Sequence, residues 1–192
     1  MGQEKIVLAI SDNNMKEQLK DILKSSGYLV YTASDGATAL RLSKSIRPEA
    51  AILDEVLSGI HGVIVSDMLV GEGISPVITM ITASTYKTTG IHSDDIVYLV
   101  KPVSPFTVLG TLNSILKYKR ELKALKDKAE ELDKRLELQK QLSRAKAYLM
   151  EYEHYTEQEA HRYIQKMAMN YSVTIEKVAI DIIEKYKKRP RK

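Results

Sequence analysis

The stretch AAILDEVLSGIHG, residues 50–62, decides how this chain is read. It opens as an unbroken apolar run, ends that run on Asp54, and passes at once into polar, glycine-containing chain. A strand with one wet face alternates apolar and polar residues, whereas a run apolar throughout fits a strand covered on both faces, as in parallel sheets. Similar runs stand on either side: KIVLAI at 5–10, YLVYTA at 28–33, VITMI at 77–81 and VYLV at 97–100. Between them lie helical patterns. Met15, Leu19, Ile22 and Leu23 lead to a stop at Gly27; Ala37, Leu40, Leu42 and Ile46 are closed by Pro48; Val63 to Val70 forms a third. The repeat predicts an α/β fold with a doubly wound, five-stranded parallel sheet. Right-handed crossovers place the strand-end carboxylates Asp12 and Asp54 at one rim.

Composition bounds what else the chain can be. At 192 residues it holds one large domain or two small ones, and its 44% apolar content suffices for a core. With no cysteine, a disulfide scaffold, a thiolate metal site and a cysteine nucleophile are excluded. The apolar run Ile6 to Ile10 is too short for a secretory signal, and no stretch approaches a membrane span. A soluble, cytoplasmic protein without a membrane partner is expected. The net charge of +4 is unevenly placed: 11 basic and 12 acidic residues precede residue 120, while 18 and 13 follow. The end, KYKKRPRK from Lys185, is a basic block of the kind that attracts polyanions or is simply solvated.

From Pro105 the pattern becomes helical only. Ile115, Tyr118, Leu122, Leu125, Ala129, Leu132 and Leu136 recur at spacings of three and four, a heptad seam that requires a partner strand. The register then slips by one residue to Leu138, Leu142, Ala145 and Leu149. Thr156 and Glu159 form a capping-box pattern ahead of an apolar face made by Ala160, Tyr163, Ile164, Met167, Ala168 and Tyr171. Thr174 can cap a last helix with the face Ile175, Val178, Ala179, Ile182, Ile183 and Tyr186. A coiled-coil helix and a small three-helix bundle are therefore expected, with boundaries at 1–118, 119–136, 137–188 and a basic tail at 189–192. So small a bundle buries little area, and dimerisation along the seam would stabilise it.

Asp12, Asp54, Thr82 and Lys101 all sit at strand ends, the rim where open α/β sheets bind ligands. Carboxylates suit Mg²⁺, and a hydroxyl and an ammonium suit phosphoryl oxygens. Each has an ordinary reading alone, as helix cap, strand end or surface lysine; all of them in order on one βα framework do not. The segments ISDN, AILDEVLSGIHG, VITMITAS and YLVKPV resemble the receiver domain of two-component response regulators over residues 1–118. The resemblance implies a flavodoxin-like fold, Asp54 as acceptor of a phosphoryl group from a sensor histidine kinase, and Mg²⁺ held by Asp12, Asp54 and the Val56 carbonyl. It implies Thr82 and Lys101 as contacts of the phosphoryl oxygens and Tyr98 as the aromatic that reorients. No further catalysis is implied beyond the receiver's own aspartyl phosphorylation and dephosphorylation. Ser11 stands where receivers usually carry a second acid, so weak Mg²⁺ binding is expected. VLSGIHG lacks the usual proline, and the polar stretch 84–95 predicts a stunted fourth helix.

The segments SRAKAYLM, TEQEAH, MAMN and EKVA resemble the ANTAR family, the AmiR/NasR-type RNA-binding module, over residues 133–186. Ala145, Ala160, Ala168 and Ala179 match its small packing residues. The resemblance implies a response regulator that binds leader-RNA hairpins as a homodimer and controls transcription antitermination. Cations would lie over phosphates, so Arg144 and Lys146 beside Ala145, Arg162 and Lys166 four apart, and Lys177 are the candidate RNA contacts. The tyrosines read as core filler. Two alternatives stay open: a degenerate receiver serving a phosphorylation-independent RNA-binding dimer, and duplex-DNA binding by the final helix pair, whose short turn resembles a helix-turn-helix connection.

Overall fold

A computed structural model describes residues 3–88 and 93–187. The chain divides into two units, Met1–Glu121 and Leu122–Lys192. The first contains β1 (Lys5–Ala9), α1 (Asn13–Ser25), β2 (Leu29–Thr32), α2 (Gly36–Ile46), β3 (Ala50–Asp54), α3 (Gly62–Gly71), β4 (Val77–Ile81), α4 (Ala83–Thr88) and β5 (Ile96–Val100). All strand pairs are parallel, in the order β2-β1-β3-β4-β5.

The unbroken apolar runs are explained by their neighbours. Successive side chains of a strand point to opposite faces, and both faces are covered. Ile6 and Leu8 of β1 and Ile52 of β3 pack with Leu19 and Leu23 of α1 and with Val108, Leu112 and Leu116 of the following helix. On the other face Val7, Ala9, Ala51 and Leu53 pack with Ala39 of α2 and Val65 and Leu69 of α3. Fully burying one such side chain contributes about 1.5–3 kcal/mol. The edge strands β2 and β5 keep most of the partly exposed strand residues, joined by Lys5 at the start of β1.

Helix ends follow local chemistry. Asp12 caps α1 by accepting from Met15 N–H at 2.9 Å, and Asp35 caps α2 by accepting from Thr38 N–H at 2.8 Å. Gly27 stops the first helix at φ +90°, a backbone that favours glycine. Ala37, expected on the buried face of α2, is exposed, because that face is centred on Ala39 and Ser43. The short α4 ends at Thr88, and residues 89–92 of the stretch in which a stunted helix was expected lie outside the described residues.

One helix, α5 (Pro105–Glu153), runs through the whole expected linker without a break. Ile115, read as the start of the seam, instead packs with the core of the first unit. Tyr118, Leu122, Leu125, Leu132 and Leu136 are exposed along the helix. In the second unit, α5 residues from Leu142 onward pack with α6 (Glu157–Tyr171) and α7 (Ile175–Lys187) around Ala145, Leu149, Ala160, Ile164, Ala168, Val178, Ala179, Ile182 and Tyr186. The capping box forms: Thr156 Oγ1 accepts from Glu159 N–H, and Glu159 Oε2 accepts from Thr156 N–H at 2.8 Å. Thr174 Oγ1 accepts from Lys177 N–H at 3.2 Å. Tyr171 departs from expectation. It ends α6 with 68% of its surface exposed instead of joining the apolar face. The basic tail at 189–192 lies outside the described residues.

Candidate functional site

The carboxyl ends of β1, β3 and β5 surround a cleft of about 450 Å³ lined by Asp12, Asp54, Met80, Lys101, Pro102 and Val103, among others. Asp54 is only 3% exposed. The Lys101 ammonium donates to its Oδ1, and Ser11 N–H donates to Oδ2 at 3.4 Å. A buried carboxylate needs such answers to its charge. Lys101 is delivered by the last turn of the sheet: its N–H donates to the Ile81 carbonyl at 2.8 Å, and the peptide to Pro102 is cis.

The three expected oxygen donors behave unequally. Asp12 lines the cleft while one of its oxygens caps α1. The Val56 carbonyl accepts the Ser11 hydroxyl, so the residue replacing an acid is bonded to an expected ligand. Among the described residues no group of three or more His, Cys, Asp or Glu side chains is arranged to hold a metal ion. Two carboxylates on one cleft with a nearby carbonyl still fit Mg²⁺, which takes oxygen ligands and keeps several waters.

Thr82 is not turned toward Asp54 by any hydrogen bond. Its N–H donates to Glu55 Oε1 at 2.8 Å, and its hydroxyl meets Glu55 Oε2 at 3.5 Å, Ser84 Oγ at 2.9 Å and Thr85 Oγ1 at 3.0 Å. Glu55, 5% exposed, is a residue that sequence reasoning passed over. Burial pushes its carboxyl up, but hydrogen bonds from Thr85 and Thr82 and the charge of Lys101 outweigh that, and the net shift is downward. The signal available was a second acid after a fully apolar strand, which must find donors if buried. Tyr98, on β5 opposite Thr79, keeps its hydroxyl buried without a hydrogen-bond partner among the described residues; burial, and secondarily Asp67, push its pKa up.

Gly62 matters for the same loop. A Cβ there would lie 1.8 Å from the Asp54 carbonyl oxygen, so only glycine lets α3 start this close to β3.

In the second unit, the candidate cations do not form one set. Arg144, Arg162 and Lys166 are exposed. Lys146 is half-buried and pairs with Glu157 at 2.6 Å, so it does not point freely outward. Lys177 pairs with Asp181 at 2.9 Å. An apolar cleft of about 430 Å³ lies nearby, lined by Tyr163, Met167, Tyr171, Lys177, Asp181 and Lys185, among others. Most of the tyrosines do fill the core: Tyr148, Tyr152 and Tyr186 stack, and the Tyr186 hydroxyl donates to Glu153.

A five-stranded parallel sheet with a buried aspartate, a second aspartate and a lysine at its carboxyl rim defines a receiver domain. The chain belongs to the response regulator receiver domain family, whose model matches residues 7–113, and an ANTAR domain model matches residues 130–183. It is thus a response regulator with a C-terminal ANTAR domain. The transcriptional regulatory protein PdtaR of Mycobacterium tuberculosis is 27% identical over 184 residues, 94% of this chain and 89% of that protein. The alkaline phosphatase synthesis transcriptional regulatory protein PhoP of Bacillus subtilis is 32% identical over 119 residues, 59% of this chain and 49% of that protein. Among solved structures, the chemotaxis response regulator CheY4 of Vibrio cholerae aligns with a TM-score of 0.52 at 24% identity, covering 59% of this chain and 99% of that one. A receiver domain from Clostridium thermocellum gives 0.55 at 19% identity, covering 62% and 98%. Both show a shared fold. No described helix is long and apolar enough to cross a membrane.

Proposed function

We propose that Asp54 accepts a phosphoryl group from a sensor histidine kinase and that the second unit binds leader-RNA hairpins to control transcription antitermination. The observation that carries the first half is the buried Asp54 carboxylate paired with Lys101 in a cleft shared with Asp12. An Asp54 oxygen would form the bond to phosphorus as the phosphohistidine P–N bond breaks, and the departing imidazole nitrogen takes up a proton. Lys101 would pass from the carboxylate to the phosphoryl oxygens, and Thr82 would join it. Mg²⁺, held by Asp12, Asp54 and the Val56 carbonyl, would supply charge neutralisation. The work left to the chain is positioning and electrostatics. Incubation with acetyl phosphate and Mg²⁺ should add the mass of one phosphoryl group to the wild type and nothing to Asp54→Asn. Unchanged mass in the wild type refutes this half and favours the phosphorylation-independent reading, which the Ser11 bond to Val56 supports.

The RNA half is supported by the ANTAR match, by the exposed Arg144, Arg162 and Lys166, and by the exposed ring of Tyr171 beside the apolar cleft. Splayed loop bases stack on such rings while cations take the phosphates. Lys146 and Lys177, already paired with carboxylates, are secondary contacts. The exposed seam of α5 favours a homodimer through the coil. Titration into leader RNA at several salt concentrations tests the reading; absence of saturable binding, or equal binding to duplex DNA, overturns it.

A further inference from the structure

The apolar cleft of the second unit carries three charges that its hydrophobic lining does not call for. Its volume, about 430 Å³, is ample for one flat heterocycle. Leu149, Val178 and Ile182 line it as buried residues, Met167 is half-buried, and the Tyr171 ring is largely exposed. Lys177, Asp181 and Lys185 join them from α7, four residues apart and so on one stripe of the helix. All three are exposed. The Lys177 ammonium stands 2.9 Å from Asp181 Oδ1. Lys185 Nζ donates to the Tyr186 hydroxyl at 3.1 Å and lies 4.7 Å from the centre of that ring. Among the described residues that line the cleft, Asp181 is the one acid.

We propose that this cleft is a base-reading pocket, which takes one unstacked base of the bound RNA and in which Asp181 selects a base with an exocyclic amino group and excludes uracil. The inference rests on the second unit binding RNA. A purely apolar ligand gains nothing from two ammonium groups, and a simple anion is opposed by Asp181. A nucleotide within a strand answers all three features. Its base lies against the apolar and aromatic side chains, as extruded bases do in enclosed sites. Its flanking phosphates meet Lys177 and Lys185. A carboxylate only accepts, and its oxygens carry more acceptor sites than the pair with Lys177 uses. Adenine, cytosine and guanine each present an amino donor, whereas uracil presents carbonyl oxygens that a carboxylate repels.

The test is selection by the full chain from a pool of RNA hairpins with a randomised loop, with and without acetyl phosphate and Mg²⁺, read by sequencing the retained RNA. It compares the wild type, Asp181→Asn, Lys177→Ala and Glu184→Gln. Hairpins retained by the wild type should share one loop position from which uracil is depleted about tenfold, the scale of one base contact. Asp181→Asn, whose amide can donate to a carbonyl, should still retain hairpins but admit uracil at that position. Lys177→Ala removes a cation and leaves the acceptor, so every hairpin should be held more weakly with uracil still depleted. Glu184 is an exposed acid of α7 that does not line the cleft. Glu184→Gln removes the same charge as Asp181→Asn and should leave the depletion intact. Equal depletion in the wild type and Asp181→Asn overturns the pocket, as does a wild-type selection with no position depleted of uracil. Uracil admitted equally by Glu184→Gln overturns it in favour of net charge, and loss of all retention in Asp181→Asn overturns it in favour of a structural role. If the wild type retains no hairpin in either condition, the RNA reading itself falls, and the pocket with it.

Discussion

Lys101 and Asp54 are coupled in a way that makes each sensitive to loss of the other. Asp54 is buried whereas the Lys101 side chain is 35% exposed, so removing the lysine leaves the greater part of the cost on the aspartate. Lys101→Met should destabilise the first unit by about 1–3 kcal/mol, and Asp54→Asn, which removes the stranded charge, should restore much of it in the double variant. Urea unfolding of the four proteins, read as a double-mutant cycle, measures this. Gly62→Ala should be harsher than its size suggests. The new Cβ meets the Asp54 carbonyl, a backbone atom that cannot yield, and about 2–3 kcal/mol of stability should be lost in the same assay. That Asp12, Asp54, Thr82 and Lys101 stand just at or after strand ends was legible from sequence, because strand ends in a parallel sheet meet at one rim. Glu55 was not, because its role depends on Thr82 and Thr85, far away in the chain.

Elements carry their own tests. The capping box at the start of α6 ties Thr156 and Glu159 by reciprocal bonds, and Thr156→Ala should cost about 1 kcal/mol. Backbone and side-chain hydrogen bonds from Thr156 hold the Glu159 carboxyl below its ordinary value of 4.5. A depressed carboxylate contributes stability above its unfolded pKa and loses it as pH falls through the folded one. Protection of the amides in the first turn of α6, measured against the exchange of an unstructured chain at the same pH, should therefore fall below roughly pH 4.5, and Glu159→Gln should flatten that dependence. Ser172 closes the helix at φ 53°, a left-handed backbone, so Ser172→Gly should raise stability by about 1 kcal/mol. Helix periodicity told the apolar face of α6 well as far as Ala168. It failed at Tyr171, which ends the helix largely exposed beside the cleft it shares with α7. The start of the seam failed for the opposite reason: Ile115 keeps heptad spacing but has a closer partner in the core of the first unit.

At the scale of the whole molecule, the seam and the charge make predictions that no single element carries. If α5 pairs as proposed, Leu125→Lys with Leu132→Lys places like charges on both strands of the coil, and sedimentation should show a dimer for the wild type and a monomer for the double variant. RNA affinity should fall with salt, and Arg162→Ala with Lys166→Ala should reduce the slope by about 1–2 if each contacts a phosphate. Tyr171→Ala should weaken binding with little change in that slope, since stacking releases no counterion.

Sequence by itself determined the layers of this protein. Five apolar runs with helical patterns between them admit one sheet covered on both faces, and the acids that end those runs must gather at its rim. Composition by halves already placed the excess of positive charge beyond residue 119. Tertiary structure alone decided how the side chains at that rim are spent. Ser11 donates to Val56, and Glu55 accepts from the Thr82 N–H; in the second unit, Lys146 is likewise spent on Glu157. Periodicity is a property of neighbours along the chain and survives in the sequence. A hydrogen bond between residues far apart is a property of distance in space, and only the folded chain brings donor and acceptor within reach.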